Sequence, residues 1–306
     1  MGARATLDVG GKTVDVTNLD KVFYSKSGFS KGDLIDYYIR IGEALLPHLK
    51  DRPVSLKRYP DGVDGFFFYE KQAPSHRPKW VKTVDVGKSE GGVIHYCVIA
   101  DLPTLVWTSN LANLELHTFL HKAPAISRPT MLAFDLDPGP GTDIVQCCQV
   151  GLWVKSIFDS LKLECFAKTS GSKGLQVYVP LNTPVTYDKT KAFAHSVALA
   201  LEHHFPDAVV SRMQKILRTG KVLVDWSQND DKKTTVCAYS LRAKERPTVS
   251  TPVTWDEVER TLKKKDAKRL TFESKDVLKR VLKLGDLFAP VLTLKQKLPG
   301  VGAIKA

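Results

Sequence analysis

Cysteine is scarce in this sequence, and long apolar runs are missing. The five cysteines among 306 residues are odd in number, and none lies in a CxxC spacing. This usage disfavours a disulfide framework or a zinc ribbon and favours a reduced, cytosolic protein. No apolar run approaches the roughly 18 residues of a membrane span. The polar start MGARATLDVGG is no signal peptide, so we expect a soluble protein without membrane contact.

Acidic residues are the scarcer charged class. The sequence has 33 Asp and Glu against 45 Lys and Arg, which gives a formal net charge of +12. This balance favours a polyanionic partner, nucleic acid before membrane, although a solvated basic surface would give the same composition. The hydrophobic fraction of 43% is ordinary for a protein with a packed core.

The residue pattern predicts an α+β fold. A hairpin is expected around Gly10 and Gly11, and Ser30 with Asp33 marks the start of a helix. Further strands are predicted at residues 53–59, 131–137, 164–169, 175–179 and 222–224. Further helices are predicted within 102–116, after Thr142 or Asp143, over 189–204, after a Thr254/Glu257 capping box, and around 277–282. Some strands occur as pairs, which favours mixed sheets over a doubly wound fold. We expect one domain over residues 1–294 and a basic, mobile tail over residues 295–306.

Two aspartates close together on a predicted strand indicate metal chemistry. Asp135 and Asp137 are two residues apart, so their side chains point to the same face of the strand. Two such carboxylates can hold a pair of divalent cations for phosphoryl transfer, and oxygen ligands favour Mg²⁺ or Mn²⁺. Asp225 ends an apolar strand and is the natural third ligand. The alternatives are a capped Pro-Gly turn or a structural calcium site.

The loop between two predicted strands has the composition of a phosphate-binding site. The run TSGSKG offers hydroxyl groups, backbone N–H groups and the ammonium of Lys173. It is not a Walker A loop, because no GK[ST] ends it. A plain hairpin turn would have a similar composition.

Cations alternate with aromatic residues after the first long helix. Lys57 and Arg58 precede Tyr59 and the run FFFY that contains Phe68. Aromatic rings can stack on bases while cations neutralise phosphates, so one or two of these residues are expected to contact DNA. The rest are candidates for the core. His117, beside Glu115, is by itself best interpreted as a structural histidine.

Several motifs in order along the chain resemble one family, the polymerase domain of bacterial ligase D. They are TNLDKV, RPVSLKRYPDGVDG, LELH, FDLDPGPG, TSGSKGLQVYVP and LRTGKVLVDWSQN. The family belongs to the archaeo-eukaryotic primase superfamily. The resemblance implies a primase-like catalytic core with mixed and antiparallel sheets flanked by helices.

The resemblance also implies an activity. The chain would be a template-directed nucleotidyltransferase that fills gaps and extends DNA ends in non-homologous end joining. Its substrates would be NTP or dNTP, with ribonucleotides favoured, and it would use two Mn²⁺ or Mg²⁺ ions. Its partners would be gapped or broken DNA with a 5′-phosphate, Ku and an ATP-dependent DNA ligase. It would act in the cytoplasm, at the nucleoid.

The motifs assign roles to individual residues. The implied metal ligands are Asp135, Asp137 and Asp225, and the implied nucleotide-binding residues are His117, Ser172, Lys173 and Gln176. The implied 5′-phosphate pocket consists of Asn18, Lys21, Lys31 and Lys57. The expected template or primer contacts are Arg58, Phe68, Arg218 and Lys221.

One position departs from the family pattern. Gln176 stands where the family usually has histidine. Glutamine can still form hydrogen bonds but cannot become cationic, which changes what it can offer to a triphosphate. Two other functions fit parts of the pattern. A two-metal nuclease needs the same carboxylates without a triphosphate pocket, and a DNA-end binding module needs only the basic surface.

Overall fold

A computed structural model describes residues 2–88 and 90–304 and combines helices with antiparallel strands. The helices are α1 (Lys31–Leu49), α2 (Leu102–Asn110), α3 (Ile144–Ser160), α4 (Tyr187–His204), α5 (Trp255–Lys264), α6 (Ser274–Leu284) and α7 (Pro290–Thr293). The first strands are β1 (Arg4–Val9), β2 (Lys12–Thr17), β3 (Val22–Tyr24), β4 (Phe29–Ser30), β5 (Pro53–Arg58), β6 (Phe68–Glu70), β7 (Thr83–Gly87), β8 (Val93–Val98) and β9 (Asn113–Thr118). They are followed by β10 (Met131–Pro138), β11 (Phe166–Thr169), β12 (Leu175–Pro180), β13 (Val209–Val210), β14 (Val222–Asp225), β15 (Thr235–Val236), β16 (Leu241–Arg242), β17 (Thr248–Val249) and β18 (Pro252–Val253). The predicted α+β class is confirmed.

Contacts within the chain divide it into two compact units. Unit 1 comprises Met1–Pro124, Thr234–Ser250 and Phe272–Gly285, and unit 2 comprises Ala125–Lys233, Thr251–Thr271 and Asp286–Ala306. The sequence predicted one domain over residues 1–294. Because the chain passes between the units several times, no Pro- or Gly-rich linker marks the division in the sequence.

The main sheet of unit 1 has the strand order β15-β9-β5-β8-β7, and β6 also pairs with β5. These pairings are antiparallel. Helix α1 begins at a capping box in which Ser30 and Asp33 exchange hydrogen bonds, as predicted. Its apolar stripe is buried, and α1 packs against α2 and α6.

The sheet of unit 2 has the strand order β13-β14-β10-β12-β11-β18. Only β13 and β14 pair in parallel, and the other neighbours in this sheet are antiparallel. Helix α3 is capped by Asp143, one of the two predicted cap residues, and packs on β10 and β12. This packing leaves the opposite face of the sheet for polar side chains.

The helix predicted within residues 102–116 is present as α2, which ends at Asn110. Strand β9, which the sequence did not predict, follows from Asn113 after Ala112 adopts a φ of 62°. Every residue of β9 is buried, so the strand lacks the alternation that identifies half-buried strands. The hairpin of β7 and β8 was not predicted. Its Val86 and Tyr96 pack with Phe119.

The C-terminal segment begins with an anchored residue. The Gln296 backbone N–H donates to Leu181 O at 2.8 Å, and the Gln296 side chain hydrogen-bonds the backbones of Glu164 and Pro180. Residues 301–303 form a turn of 3₁₀ helix. Ordered contacts of unit 2 therefore extend into the segment predicted to be a tail from residue 295.

All five cysteines are buried, and none of them forms a disulfide within the described residues. Burial raises the pKa values of the Cys97, Cys148 and Cys165 thiols. Raised pKa values keep thiols in their unreactive, protonated form. Among residues 2–88 and 90–304, no helix has the length and apolar character needed to cross a membrane.

Candidate active site

Three carboxylates share one face of the unit 2 sheet. Asp135 and Asp137 lie two residues apart near the end of β10. Asp225, the last residue of β14, is directly opposite Asp135 in the antiparallel register. Opposed residues on antiparallel strands point to the same face, with Cβ atoms about 4.5–5.5 Å apart. The register therefore brings together the three residues that the sequence predicted as metal ligands.

The Asp135 carboxylate needs a positive partner. Its Oδ1 is buried and has no hydrogen-bond partner within the described ranges. Burial raises the pKa of Asp135, and the charges of Asp137 and Asp225 raise it further. A hydrogen bond from Gln176 and the charge of Lys168 lower it in part. A divalent cation would both satisfy this oxygen and neutralise the repulsion. The oxygen-only donor set fits Mg²⁺ or Mn²⁺.

Asp225 is already engaged in hydrogen bonds. Its Oδ1 accepts from the Ser227 backbone N–H at 2.9 Å and from the Ser227 hydroxyl at 2.6 Å, and its Oδ2 accepts from the Gln228 amide at 2.8 Å. Within the described part of the chain, no three or more His, Cys, Asp and Glu side chains form a ready-made metal cluster. An ionised carboxylate has about four acceptor sites. Asp225 can therefore keep these bonds and still contribute a lone pair to a cation.

The predicted phosphate loop joins β11 to β12 beside the carboxylates. The Ser170 hydroxyl accepts from the backbone N–H groups of Ser172 and Gly174 at 3.2 and 3.1 Å, which closes the turn. A Cβ on Gly174 would lie 2.3 Å from the Leu136 carbonyl oxygen, so only glycine allows the loop to approach β10 this closely. Ser172 and Lys173 are exposed. The loop is a hairpin turn that presents both side chains next to the Asp135 strand.

Gln176 lies on the same face as the carboxylates, opposite Asp135 on β12. It is buried, and its Oε1 accepts from Lys168 Nζ at 2.5 Å and from the Tyr178 hydroxyl at 3.3 Å. The sequence predicted Gln176 as a triphosphate contact. The structure places its side chain in a hydrogen-bonded group next to Asp135.

Lys168 was missed in the sequence. It lies opposite Gln176 on β11, and its side chain is 1% exposed. Strand alternation from the loop residue Ser170 would have placed Lys168 on the same face as that residue. The sequence analysis did not single it out, because the burial of a lysine is not visible in the local sequence.

A second loop contacts the turn after Asp137. The Gly139 N–H donates to Lys221 O at 2.9 Å, and a Cβ on Gly139 would lie 1.8 Å from Arg218 O. The Arg218 side chain donates to Met213 O at 2.6 Å and Lys221 Nζ to Pro206 O at 2.5 Å. The structure thus brings the backbones of Arg218 and Lys221, the predicted template or primer contacts, to the turn that follows Asp137, while their side chains are bonded to the Met213 and Pro206 carbonyls.

A cationic group lies at the start of α1 in unit 1. Lys31 is buried, and its Nζ donates to Thr17 O at 2.6 Å. Burial lowers the pKa of Lys31 to about 8, and the charges of Lys21 and Arg58 lower it further. Lys21 makes an ion pair with Asp61 at 2.9 Å. Of the predicted 5′-phosphate pocket, the structure therefore groups Lys21 with Lys31, next to the Asn18 segment.

Lys57 and Arg58 have different environments because adjacent strand residues point to opposite faces. The Lys57 ammonium lies 4.4 Å from the centre of the Phe67 ring and 3.8 Å from Glu115 Oε1. Arg58 makes two contacts of 3.0 Å with the Glu70 carboxylate. The electrostatic neighbour of Lys31 on this strand is Arg58, not Lys57.

The aromatic run after the DGVDG turn is only partly buried. Phe68 packs over the Arg58 guanidinium at 5.2 Å and stacks with Phe66 at 5.9 Å. Phe66 is 71% exposed and Phe67 is 46% exposed. Phe66 and Phe67 are therefore more accessible to a base than Phe68, the residue that the sequence singled out.

His117 belongs to a buried charge cluster around Glu115. Both side chains lie on one face of β9, and His117 Nε2 donates to Glu115 Oε2 at 2.9 Å. Glu115 also accepts from the Ala243 N–H at 3.0 Å and pairs with Arg242 at 3.3 Å. Burial opposes ionisation of Glu115, but the His117 hydrogen bond and Arg242 outweigh it and lower its pKa. Burial also lowers the pKa of His117.

Comparisons with protein families and with individual proteins both find similarity to LigD. A family model described as "LigD, primase-polymerase domain" matches residues 30–288. The chain is 39% identical over 280 residues to the multifunctional non-homologous end joining protein LigD of Mycolicibacterium smegmatis, covering 91% of this chain and 36% of that protein. It is 33% identical over 247 residues to the bifunctional non-homologous end joining protein LigD of Bacillus subtilis, covering 80% and 39%.

A solved structure is similar throughout. The polymerase domain from Mycobacterium tuberculosis ligase D, in complex with DNA, has a TM-score of 0.86 and 37% sequence identity. The match covers 92% of this chain and 99% of that one. The chain thus spans little more than a third of the length of the two full-length relatives but nearly all of this polymerase domain.

Proposed function

The chain belongs to the LigD primase-polymerase domain family, and we propose on this basis that it is a template-directed nucleotidyltransferase that extends DNA ends. One structural observation supports the proposal most strongly. Asp135, Asp137 and Asp225 share one sheet face beside the loop that exposes Ser172 and Lys173. Carboxylates next to hydroxyl and ammonium donors suit the transfer of a phosphoryl group.

In the proposed reaction, the 3′-hydroxyl of a primer attacks the α-phosphate of a nucleotide and pyrophosphate leaves. Two Mn²⁺ or Mg²⁺ ions, when bound, activate the hydroxyl and neutralise developing charge. Asp135, Asp137 and Asp225 would hold these ions. Ser172 and Lys173 would bind the triphosphate oxygens and orient the nucleotide for attack. His117 is proposed to contact the nucleotide, as the family motif implies.

Incubation with labelled DNA distinguishes this function from the two alternatives, a two-metal nuclease and a DNA-end binding module. A primer on a gapped duplex should be lengthened when nucleotides and Mn²⁺ or Mg²⁺ are present. Shortening of the labelled strand without nucleotides would identify a two-metal nuclease. Binding without extension in either metal would identify a DNA-end binding module.

The role in the cell is a wider proposal, since the chain matches only part of its relatives. Those relatives are named for non-homologous end joining. We propose that the chain fills gaps and extends DNA ends during that process, and that it acts at the nucleoid. Ku and an ATP-dependent DNA ligase are its proposed partners. Because it is a basic protein of net charge +12, its affinity for DNA should fall steeply as salt is raised.

Ribonucleotides should be incorporated at least as well as deoxyribonucleotides. The family resemblance implies this preference, and a 2′-hydroxyl can both donate and accept a hydrogen bond. A site that binds this group disfavours a nucleotide lacking it, because a polar partner is left unpaired. Single-nucleotide insertion kinetics with matched NTP and dNTP measure the ratio. A strong preference for the deoxy form would contradict the prediction.

A 5′-phosphate on the downstream strand should strengthen binding to gapped DNA about tenfold, which corresponds to ~1.4 kcal/mol. The terminal phosphate carries nearly two charges at pH 7, and Lys21 and Lys31 lie together at the start of α1. Lys21→Ala and Lys31→Ala should remove most of the gain without weakening binding to unphosphorylated gaps. Fluorescence anisotropy at one salt concentration measures this. Lys189→Ala, on the exposed surface of α4, is the control.

The same gain should depend on pH. A lysine with a pKa of about 8 loses its charge between pH 7 and pH 9, so the contribution of Lys31 should fall across this range. Lys31→Ala should show a flatter profile. Equal affinity for phosphorylated and unphosphorylated gaps at pH 7 would exclude the pocket. Comparing Lys57→Ala with Arg58→Ala decides which residue of β5 belongs to it.

A further inference from the structure

Four polar residues form a row across the unit 2 sheet. Asp225, Asp135, Gln176 and Lys168 lie on the neighbouring strands β14, β10, β12 and β11, each directly opposite the next. Directly opposed residues on antiparallel strands share a face. We call Asp225, Asp135, Gln176 and Lys168 the polar row. It runs from two carboxylates through an amide to an ammonium.

The ammonium at the end of the polar row is buried. Lys168 is 1% exposed, and its Nζ lies 2.5 Å from Gln176 Oε1 and 5.4 Å from the centre of the Tyr178 ring. Burying a charged group is costly unless it is paired and hydrogen-bonded. A buried lysine at this position therefore indicates a specific task for its charge or its donors.

Lys168 determines the orientation of the Gln176 amide. A lysine ammonium only donates hydrogen bonds, so it can bind the amide oxygen but not the amide nitrogen. The Tyr178 hydroxyl donates to the same oxygen at 3.3 Å. With its oxygen held by two donors, the amide directs its N–H groups away from Lys168. Gln176 lies directly opposite Asp135, and a hydrogen bond from its side chain lowers the pKa of that carboxyl against the effect of burial. A flipped amide would direct its oxygen at that carboxylate, and the two would repel each other.

We propose that Lys168 is a positioning residue that fixes the Gln176 amide, which in turn orients the Asp135 carboxylate for metal binding. The inference rests on the proposed role of Asp135 as a metal ligand. Groups that hydrogen-bond a metal ligand set its orientation, and their loss typically weakens metal binding by about 10–100-fold. The row extends the candidate metal site by two strands.

The row also accounts for glutamine at position 176. A neutral histidine has one acceptor nitrogen and one donor nitrogen on opposite sides of its ring. It can therefore accept from Lys168 and donate to Asp135, as glutamine does. The Gln176→His variant should accordingly bind Mn²⁺ within about threefold of the wild-type protein, since both bonds are kept.

Mn²⁺ binding to the protein alone, without DNA or nucleotide, tests the inference. Electron paramagnetic resonance measures free Mn²⁺ during a titration. Lys168→Met and Gln176→Leu should each raise the Kd by about tenfold. The double variant should be no weaker than either single variant, because both changes remove one linked interaction. The midpoint of thermal unfolding, measured with and without Mn²⁺, separates lost metal binding from a general loss of stability.

The alternative explanations give different results. If Lys168 acted only through its positive charge, Lys168→Met would tighten Mn²⁺ binding by removing repulsion, and the change would persist in the Gln176→Leu background. An unchanged or lowered Kd, or effects that multiply in the double variant, would overturn the inference alone. Absence of Mn²⁺ binding by the wild-type protein would overturn the metal site and the inference with it.

Folding of the variants is checked by circular dichroism. If Lys168→Met does not fold, Gln176→Leu carries the test, because the amide is the group that contacts Asp135. An unchanged Kd in Gln176→Leu then overturns the inference. DNA binding by Lys168→Met should match that of the wild-type protein, since Lys168 is 1% exposed and its ammonium is bound to Gln176 within the unit 2 sheet.

Discussion

The rate of primer extension should fall by about 10²–10³-fold or more in each of the variants Asp135→Ala, Asp137→Ala and Asp225→Ala. This is the scale on which a single preorganised group stabilises a transition state. Binding of gapped DNA should stay within about twofold, because lysines and arginines contact phosphates whereas carboxylates repel them. Extension of a labelled primer and anisotropy with the same duplex measure both properties. We expect loss of activity from each variant because the three carboxylates share one face of the sheet. The strand register sets Asp225 opposite Asp135, and Asp137 lies two residues further along the same strand.

Two control variants make this test specific. Asp256→Ala removes an exposed carboxylate from the first turn of α5 and should extend primers normally. Ser227→Ala removes one of the hydrogen bonds to Asp225 Oδ1 while keeping the carboxylate. It should retain most of the activity if Asp225 acts as a ligand and not only as a cap. Near-normal extension by any one aspartate variant would remove that residue from the set of essential ligands.

The second large effect is expected on stability, from Glu115→Ala. Glu115 is 1% exposed and pairs with His117, Lys57 and Arg242. Removing one partner of a buried charge cluster leaves the others uncompensated, which costs about 3–5 kcal/mol of unfolding free energy. Urea denaturation followed by fluorescence measures the change. Glu245→Ala, which breaks the exposed Lys26 ion pair, should change stability by less than about 0.5 kcal/mol.

The contribution of Glu115 should also depend on pH. Its pKa is lowered in the folded protein by the His117 hydrogen bond and by Arg242, against the effect of burial. The stabilisation is therefore present above the unfolded pKa of about 4.3 and is lost as pH falls below it. The stability difference between the wild-type protein and Glu115→Gln should shrink from pH 5 to pH 3. A difference that stays constant over this range would show that the cluster does not depend on an ionised Glu115.

The two clusters identified in this chain use charge in opposite ways. In unit 2, Asp135 lies among like charges and has a buried oxygen without a hydrogen bond, which favours the arrival of a cation. In unit 1, Glu115 is already neutralised by cations of the chain itself, which favours rigidity. The expected effects of mutation follow from this difference. Loss of Asp135 should abolish activity, whereas loss of Glu115 should lower stability.

Local features of the sequence determined part of this description by themselves. The spacing of Asp135 and Asp137 places both on one face of any strand, because strand side chains alternate with a period of two. The capping boxes that begin α1 and α5 form between residues three apart, so they are also visible locally. The collinear motifs indicated the family that the comparisons then confirmed.

Tertiary structure decided the pairings between residues distant in sequence. That Asp225 lies opposite Asp135, and Lys168 opposite Gln176, depends on strand register, which is set by packing across the whole sheet. Burial is likewise a property of the folded chain. It makes Lys168 a partner of Gln176, which the sequence could not show, because a long charged side chain has the same local sequence signature whether it faces water or the core. Lys57, which the family resemblance assigned to the 5′-phosphate pocket, lies beside Glu115 in the folded chain.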